Sequence, residues 1–515
     1  MMTFQHIARD NRRKNAGGQY PDALAHATTL AIMLRKLARE DPKDRSAMTV
    51  VALFLWLTQS WPAVHQPEDI PDFVKISGAT PCRANTFRTY KDGGISWAEY
   101  AQCYEDRNMT HYLWQPIPSY LNVLFQPFIS AQSYDTPFLR AKAKRRLFHL
   151  MNTKWRTPES LQHCPRVRKD TLNQYLIDCA LVDNTLTAIP RSLIVSANRA
   201  HHVHAARYQR SDSDRIRFKL FDAHNRYFSR LVHAARSAQL LPHFDVYLGQ
   251  HAINLIAERP KLAPYLSSPG RIAQTVLDTT NGSLQSIRSP ALQVGSRRHL
   301  EDTAVSRFFD GLFEHVRAIK PQQAANQLAW RDYYNRATYR LALLFIVLTG
   351  TRPTHGISVL ARYYAGGDIA FVQDKGRLRQ IIVCDYLQRE IAHYQRLQSA
   401  LLSMCGIRTG VEELWFCLDE HGLPQRLSNR TLRHFMHAHW PGVVPYQLRH
   451  FFAQSAANTL TSARLLDQDI DRLMGHETLG EHLGSDVLFP STVQAMKAYL
   501  NAYADNLGLK ELVHV

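Results

Sequence analysis

The chain lacks the features that mark membrane, exported and disulfide-stabilised proteins. Its longest apolar runs, Met48 to Trp56 and Leu341 to Leu348, are too short to span a bilayer. Residues 1–20 are polar and charged where an export signal needs an apolar core. The seven cysteines are scattered and include no Cys-x-x-Cys pair, a pattern that favours a reducing compartment. We therefore expect a cytoplasmic protein with no membrane partner.

Two common kinds of catalytic apparatus are also missing. The chain has no Gly-rich phosphate loop of the nucleotide hydrolases and no paired carboxylates at metal-binding spacing, which argues against an ATPase or a metal-dependent nuclease. Two groups of histidines lack cysteine or acidic ligands at zinc spacing, so solvated or DNA-facing side chains are the better interpretation. These are His201, His202 and His204, and His434, His437 and His439. No metal and no cofactor is expected.

The chain has fewer acidic residues than basic ones. The 515 residues hold 62 Lys and Arg against 44 Asp and Glu, which gives a formal net charge of +18. That excess suits a polyanionic partner, with nucleic acid the first expectation and an acidic membrane surface the second. The length allows two or three domains, each large enough to bury its own core.

Helical periodicity covers most of the chain, so we predict a mainly α protein with a small β-hairpin or sheet. The segment from Thr279 to Arg298 is rich in Gly, Ser, Asn and Pro and indicates a linker or a long loop. Three domains are predicted. They are an N-terminal helical region of unknown role at 1–164, a helical DNA-binding domain at 165–300 and a mostly helical domain with one hairpin at 301–515.

Two basic segments are candidates for contact with DNA phosphates. The densest cluster consists of Lys142, Lys144, Arg145 and Arg146. A solvated helix face is the alternative explanation for it. In the amphipathic segment 214–238, Arg215 and Arg217 fall between apolar positions, as a helical clamp on DNA requires.

The last third of the chain contains four short phrases that together indicate one phosphate-binding pocket. They are Leu348-Thr-Gly-Thr-Arg352-Pro-Thr-His355, Asp374-Lys375-Gly-Arg377, Pro445-Tyr446-Gln-Leu-Arg449-His450 and Leu473-Met-Gly-His476. The apolar run before the first phrase predicts a helix over 336–348 that Gly350 closes, leaving Arg352 at the next helix N-terminus, where an anion is favoured. Alternating residues at 368–373 and 380–384 predict a hairpin with Lys375 at its turn.

In order and spacing, these phrases resemble the catalytic domain of the tyrosine recombinases, the phage-type integrases, over residues 320–490. The resemblance implies a helical DNA-binding region and a catalytic domain that close around double-stranded DNA. It implies strand exchange without metal or nucleotide, through a covalent 3′-phosphotyrosyl link. It also implies a nucleoid-associated bacterial protein of a mobile element, which acts as a homo-oligomer on DNA and has other recombinases as further partners.

The resemblance assigns a role to each matching residue. Arg352 and Arg449 would clamp the scissile phosphate with planar, permanently charged guanidinium groups. Lys375 would be the general acid for the departing 5′ oxygen, and His476 would hydrogen-bond the phosphate. An ordinary turn lysine and a capping histidine are the structural alternatives for these last two residues.

Three positions depart from the family pattern. Tyr446 stands where the family has a histidine; its phenol can donate a hydrogen bond to phosphate but is a poor base near neutral pH. His355 replaces an acidic residue. The family's nucleophilic tyrosine lies nine residues after its last histidine, and Ser485 occupies that position here.

Three hydroxyl-bearing residues are therefore candidates for the nucleophile. Ser485 would need a positioned base to be activated, and a cap or loop serine is the alternative. Tyr499 and Tyr503 lie on a downstream amphipathic helix, where tyrosines are usually half-buried packing residues. Tyr499 is the leading candidate, provided that the segment after His476 loops out.

Two functions of different classes follow. The first is a site-specific DNA recombinase with a displaced nucleophile. The second is a catalytically deficient DNA-binding protein with a recombinase fold, acting as an architectural or regulatory subunit. A type IB topoisomerase ranks last, because it would need the same tyrosine that Ser485 replaces.

Overall fold

The computed structural model describes most of the chain, in segments separated by short gaps. These segments are residues 22–77, 80, 82–92, 95–106, 109–183, 185–195, 209–240, 273–277, 284–288, 293–296, 298–322, 326–353, 357, 359–374, 377–406, 411–458, 465, 467–475 and 490–514. The chain forms two compact units, an N-terminal unit of Met1–His201 and Ser211–Val294 and a C-terminal unit of His202–Arg210 and Gly295–Val515. The predicted boundary at 300/301 falls a few residues after the N-terminal unit ends, and the one at 164/165 falls inside that unit.

The N-terminal unit contains eight described helices and a four-stranded sheet. Its helices are α1 (Ala23–Ala38), α2 (Pro42–Leu57), α3 (Ser119–Ala131), α4 (Ala141–Asn152), α5 (Lys169–Leu172), α6 (Tyr175–Val182), α7 (Ala188–Ile194) and α8 (Ser213–Ser237). The sheet consists of β1 (Val74–Lys75), β2 (Thr86–Asp92), β3 (Ile95–Asp106) and β4 (Met109–Pro116). Further short strands of the chain are β5 (Arg210–Asp212), β6 (Ala273–Leu277), β7 (Leu284–Arg288) and β8 (Gln293–Gly295); Arg210 and Gly295 themselves belong to the C-terminal unit.

Helix α2 is the apolar centre of this unit. The Asp41 side chain caps it by accepting from the Lys43 backbone N–H at 3.0 Å, and Pro42 is tolerated in the first turn, where no N–H partner is needed. Every residue from 47 to 57 is buried. Because no face of α2 is polar, neighbouring elements must surround it, and the Trp56 indole donates to the Leu172 carbonyl at 2.9 Å.

The four-stranded sheet lies within the N-terminal region that was predicted to be helical, and none of its strands was predicted. Strands β2, β3 and β4 pair antiparallel, and β1 pairs parallel with β2. On one face, Phe87 and Tyr100 pack against Phe54 of α2, with ring centroids 4.7 and 5.1 Å apart. On the other, Trp97 packs against Phe221 of α8 at 5.7 Å. Since both faces carry aromatic residues, the alternation that marks a half-exposed strand is absent.

The C-terminal unit is mainly helical with small two-stranded sheets. Its described helices are α9 (Asp302–Ala318), α10 (Gln327–Thr349), α11 (Asp385–Cys405), α12 (Asn429–His439), α13 (Pro445–Asn458), α14 (Asp467–Met474) and α15 (Pro490–Asn506). Its sheets pair β9 (Ile369–Asp374) with β10 (Arg377–Ile382) and β11 (Cys417–Leu418) with β12 (Pro424–Gln425). The predicted class, mainly α with a small hairpin or sheet, is confirmed.

Helix α10 runs through the core of the C-terminal unit. Asn326 caps its start by accepting from the Ala329 N–H at 2.9 Å, and every residue from 340 to 349 is buried. The hairpin predicted around residues 374–377 is confirmed, because Asp374 pairs with Arg377 across a two-residue connection. No helix among the described residues is both long and apolar enough to cross a bilayer.

Candidate functional site

The first phrase of the predicted pocket begins where α10 ends. Gly350 closes the helix in a left-handed conformation with φ of 62°, and its N–H donates to the Ile346 carbonyl at 3.0 Å. A Cβ at this position would lie 2.5 Å from Cδ1 of Phe452 on α13. Both the backbone conformation and the close approach of α13 therefore require glycine here. Two residues later, Arg352 is half-buried.

Arg449 of α13 joins this end of α10 to the end of α14. Its side chain is fully buried. One terminal nitrogen, Nη1, donates to the Gly350 carbonyl, and the other, Nη2, donates to the Met474 carbonyl. Both carbonyls lie at helix C-termini, where the backbone dipoles favour a cation. The guanidinium group thus brings together three phrases that lie far apart in the sequence.

Arg379 of the hairpin reaches the same place and was not predicted. Its Nη1 donates to the carbonyl of Leu473, the residue before Met474, at 2.7 Å. Gly475 has φ of 63°, and a Cβ there would lie 2.7 Å from Nε of Arg379. Alternation along β10 places Arg379 on the face opposite Leu378, which is 47% exposed, but no local sequence signal marked Arg379 as a site residue.

Tyr446 lies one turn before Arg449 on α13 and is half-buried. Its ring makes an edge-to-face contact with the ring of buried His450, with centroids 5.2 Å apart. The guanidinium carbon of Arg298 lies 5.8 Å from the Tyr446 ring centroid, within the range of a cation–π contact. These neighbours hold the phenol ring on the helix that carries Arg449.

The two candidate tyrosine nucleophiles are core residues in this structure. Tyr499 is 2% exposed and Tyr503 is 5% exposed. Their rings stack with centroids 6.0 Å apart, and Tyr503 also meets the edge of Phe452 at 5.8 Å. Burial raises the pKa of Tyr503 well above its ordinary value of 10.0. For Tyr499 to attack a DNA phosphate, α15 would have to move out of this packing.

Several predicted residues lie outside the part of the chain that the structure describes. They are Lys375, His476, Ser485 and His355. In the sequence, Lys375 stands between the residues of β9 and those of β10, and His476 follows Gly475. Their roles stay predictions.

The predicted basic cluster on α4 divides into two pairs. Lys144 contacts Asp72 at 2.8 Å and donates to the Ile70 carbonyl at 2.6 Å. Arg146 pairs with Glu40 and lies 3.5 Å from Asp44. Lys142 and Arg145 are exposed and form no ion pair with any described residue. Only this second pair presents its charge to solvent.

The predicted clamp residues on α8 also differ from each other. Arg217 is 2% exposed; its Nη1 lies 3.1 Å from the Asp214 carboxylate, and its Nη2 lies 3.6 Å from that of fully buried Glu99 in β3. Its charge is therefore directed into the protein, where it helps to hold α8 on the sheet. Arg215 is half-buried, and its backbone N–H is capped by the Asp212 carboxylate at 2.7 Å.

The histidines do not form a metal site within the described residues. His434 and His437 are exposed, and His439 packs edge-to-face on His315, with ring centroids 4.5 Å apart. Burial and the neighbouring His315 lower the pKa of His439. No group of three or more metal-ligating side chains occurs among the described residues, and His201, His202 and His204 lie outside them.

No family model matches the chain, and no curated protein matches it either. Two solved structures with some similarity are complexes of XerH site-specific recombinase. The pre-cleavage complex with difH substrate is 12% identical, with a TM-score of 0.25, and the match covers 62% of this chain and 92% of that chain. The post-cleavage complex with palindromic difH has the same identity and score, with 65% and 93% covered. At this score the likeness carries no argument about the present chain.

Proposed function

We propose that this protein is a recombinase-type DNA-binding protein, and that it acts as a site-specific recombinase of a mobile element. The observation that carries the proposal is the pair of hydrogen bonds from Arg449 to the Gly350 and Met474 carbonyls. Residues from three of the four phrases meet at this guanidinium group. Arg379 joins the hairpin of the remaining phrase to the adjacent Leu473 carbonyl.

The proposed pocket would bind one phosphodiester of duplex DNA. Arg352 follows the α10 terminus that Arg449 holds, and its guanidinium group suits two phosphate oxygens at once. Tyr446 would donate a hydrogen bond from the helix of Arg449. His476 would be delivered by the chain that continues from Gly475. No metal is needed in this scheme, because the positively charged side chains of the pocket would neutralise the phosphate oxygens as negative charge develops on them.

Strand cleavage would require one hydroxyl and one acid. The hydroxyl oxygen of the nucleophile, Tyr499 in the leading hypothesis, would release its proton to water and form a bond to phosphorus while the bond to the 5′ oxygen breaks. The departing oxygen would take a proton from Lys375. Rejoining would reverse these steps. Strand exchange of this kind involves two DNA sites, so we also propose a homo-oligomer on DNA, with other recombinases as further partners.

A second candidate function is a DNA-binding protein that does not cleave. The burial of Tyr499 and Tyr503 in the core of the C-terminal unit favours it. Under this alternative α15 stays in place, and the basic pocket only grips DNA as an architectural or regulatory subunit.

Trapping on nicked duplexes separates the two candidates. A binding sequence is first selected from a random duplex library, and nicks are then placed across it so that a cleaved strand cannot be rejoined. The recombinase proposal expects a covalent protein–DNA adduct that Tyr499→Phe abolishes and that Ser485→Ala and Tyr503→Phe retain. An adduct lost only in Ser485→Ala would reassign the nucleophile. Specific binding without any adduct would reject cleavage and support the second candidate.

A further inference from the structure

The N-terminal unit carries a concentration of cations that none of the sequence motifs included. Two adjoining depressions of about 760 and 440 Å³ share Ile32 and Lys154 in their walls. Eight basic side chains line them, against two carboxylates, Glu159 and Asp170. The basic residues are Arg35, Lys36, Arg39, Lys154, Arg156, Arg166, Arg168 and Lys169. We call these two depressions the α1 groove.

The cations of the α1 groove are not neutralised from within the described part of the protein. None of the eight forms an ion pair with a described residue, in contrast to Lys144 and Arg146 on α4. Three of them instead donate to neutral groups. Lys169 donates to the Asn152 carbonyl at 2.8 Å, Lys36 to the Lys154 carbonyl at 3.4 Å and Arg35 to the Ser160 hydroxyl at 3.3 Å. Such bonds orient the cations but leave their charge available.

Burial and the crowding of like charge both act on Lys36. Partial burial, together with the neighbouring charges of Lys169, Arg39 and Arg156, lowers the pKa of its ammonium group. Positive charges held this close repel one another, and an anion placed among them would relieve the repulsion.

Helix capping accounts for only part of this arrangement. Arg35 and Lys36 lie in the last turn of α1, where cations interact favourably with the helix dipole. Arg156, Arg166 and Arg168 belong to the segment between α4 and α5, outside any described helix, so capping does not explain their position. A bound ligand of opposite charge would explain why these three arginines lie together.

The lining residues and the extent of the α1 groove both favour a nucleic-acid backbone over a lipid surface as its ligand. A membrane-binding patch pairs its cations with exposed apolar side chains that enter the bilayer. Eight large apolar residues are exposed among the described residues, and none of them lines the groove. Two adjoining depressions also offer contacts to more than one phosphate, as a polyanion requires.

We propose that the α1 groove is a nucleic-acid-binding site of the N-terminal unit, which contacts successive backbone phosphates without reading base sequence. In taking DNA as the nucleic acid, the inference rests on the proposed function. It assigns the non-specific part of the affinity to the groove and leaves selection of the cleavage site to other residues.

The test measures binding of the full chain to a fluorescein-labelled duplex of about 30 base pairs by anisotropy, over a series of salt concentrations. The variant Arg39→Ala/Arg156→Ala/Arg166→Ala removes three exposed cations of the groove. We expect at least about tenfold weaker binding near 0.1 M salt, and a slope of log K against log salt that is shallower by about two to three. The charge-preserving triple Arg→Lys variant should bind nearly as tightly as the unaltered chain.

A matched control removes three exposed cations of the same unit that line neither depression, as Lys43→Ala/Arg140→Ala/Arg236→Ala. It should change the affinity by less than about twofold. An equal loss in this control would overturn the proposal, since net charge alone would then explain binding. The proposal would also be overturned if the groove variant kept the salt slope of the unaltered chain and the loss of DNA affinity appeared instead in Lys142→Ala/Arg145→Ala.

Two further readouts separate the possible failures. Co-sedimentation with phosphatidylserine vesicles tests the lipid alternative, and a groove variant that loses vesicle binding while keeping DNA binding would overturn the proposal. The nicked-duplex assay tests the proposed function independently. A normal adduct yield with an unchanged salt slope would reject the groove alone, whereas groove-dependent binding without any adduct would reject strand cleavage alone.

Discussion

The core of the C-terminal unit and the α1 groove of the N-terminal unit use their arginines in opposite ways. In the C-terminal unit, Arg449 and Arg340 are almost completely buried, and they bond to backbone carbonyls and, for Arg340, to the carboxylate of Glu390. In the α1 groove of the N-terminal unit, Arg39 and Arg156 are exposed and have no carboxylate partner among the described residues. The role of a basic residue therefore depends on its neighbours in the fold. A cation buried among apolar side chains must bond to carbonyls or carboxylates inside the protein, whereas an exposed cation can bind an external anion.

The sharpest test of this comparison is Arg449→Ala. It would leave the Gly350 and Met474 carbonyls without their donor and would open a cavity in the core. We expect a loss of about 3–5 kcal/mol in the free energy of unfolding, measured by urea denaturation. The exposed counterpart Arg39→Ala should change it by no more than about 0.5 kcal/mol. Similar losses in the two variants would contradict the distinction between the core of the C-terminal unit and the α1 groove.

A second test concerns the glycine that Arg449 holds. In Gly350→Ala the new Cβ would meet Phe452 at 2.5 Å in a left-handed backbone, so we expect a loss of about 2–4 kcal/mol. Gly366 also has positive φ, at 92°, but a Cβ there would have no neighbouring atom within 4 Å, so Gly366→Ala should lose only about 1 kcal/mol. Thermal and urea unfolding of the two variants would show whether the close approach of α13 matters beyond backbone strain.

A third test compares one buried histidine from each unit under acid. Burial lowers the pKa of His224 to about 3, and burial with the nearby charge of Arg340 lowers that of His514 to about 3, from an ordinary value of 6.5. Both are neutral in the fold, so the stability they contribute is complete above pH 6.5 and is lost as the pH falls towards 3. Each should cost about 2 kcal/mol at pH 5 relative to pH 7.

Replacing either histidine with glutamine should reduce that pH dependence. Exposed His434→Gln provides the control and should leave it unchanged. If the stability of the parent chain were flat between pH 7 and pH 5, the neutral buried state of both side chains would be contradicted. Urea titrations at the two pH values measure the difference.

Local elements of the C-terminal unit were largely predictable. The helix ending at Gly350 and the hairpin around residues 374–377 follow from apolar periodicity, glycine placement and strand alternation, all of which act over a few residues. Arg379 was not predicted as part of the site, because its partner Leu473 is 94 positions away in the sequence. Nothing local to the hairpin signals that contact.

The N-terminal unit was harder to predict for two physical reasons. Its sheet is covered by aromatic residues on both faces, so it lacks the alternation of a half-exposed strand. Its densest basic run on α4 is partly neutralised by carboxylates from elsewhere, as Arg146 is by Glu40, 106 positions away. The charges of the α1 groove come from separate segments, and no single window of the sequence shows them together.

The mainly helical class, the basic character and the hairpin could be predicted from the sequence alone. These properties depend on composition and on spacing within one element. The folded structure was needed to show which cations face inward, that Arg449 bonds to the ends of two helices and that Tyr499 lies in the core. Those outcomes depend on which distant segment supplies the partner, and burial and ion pairing are properties of that contact rather than of either segment alone.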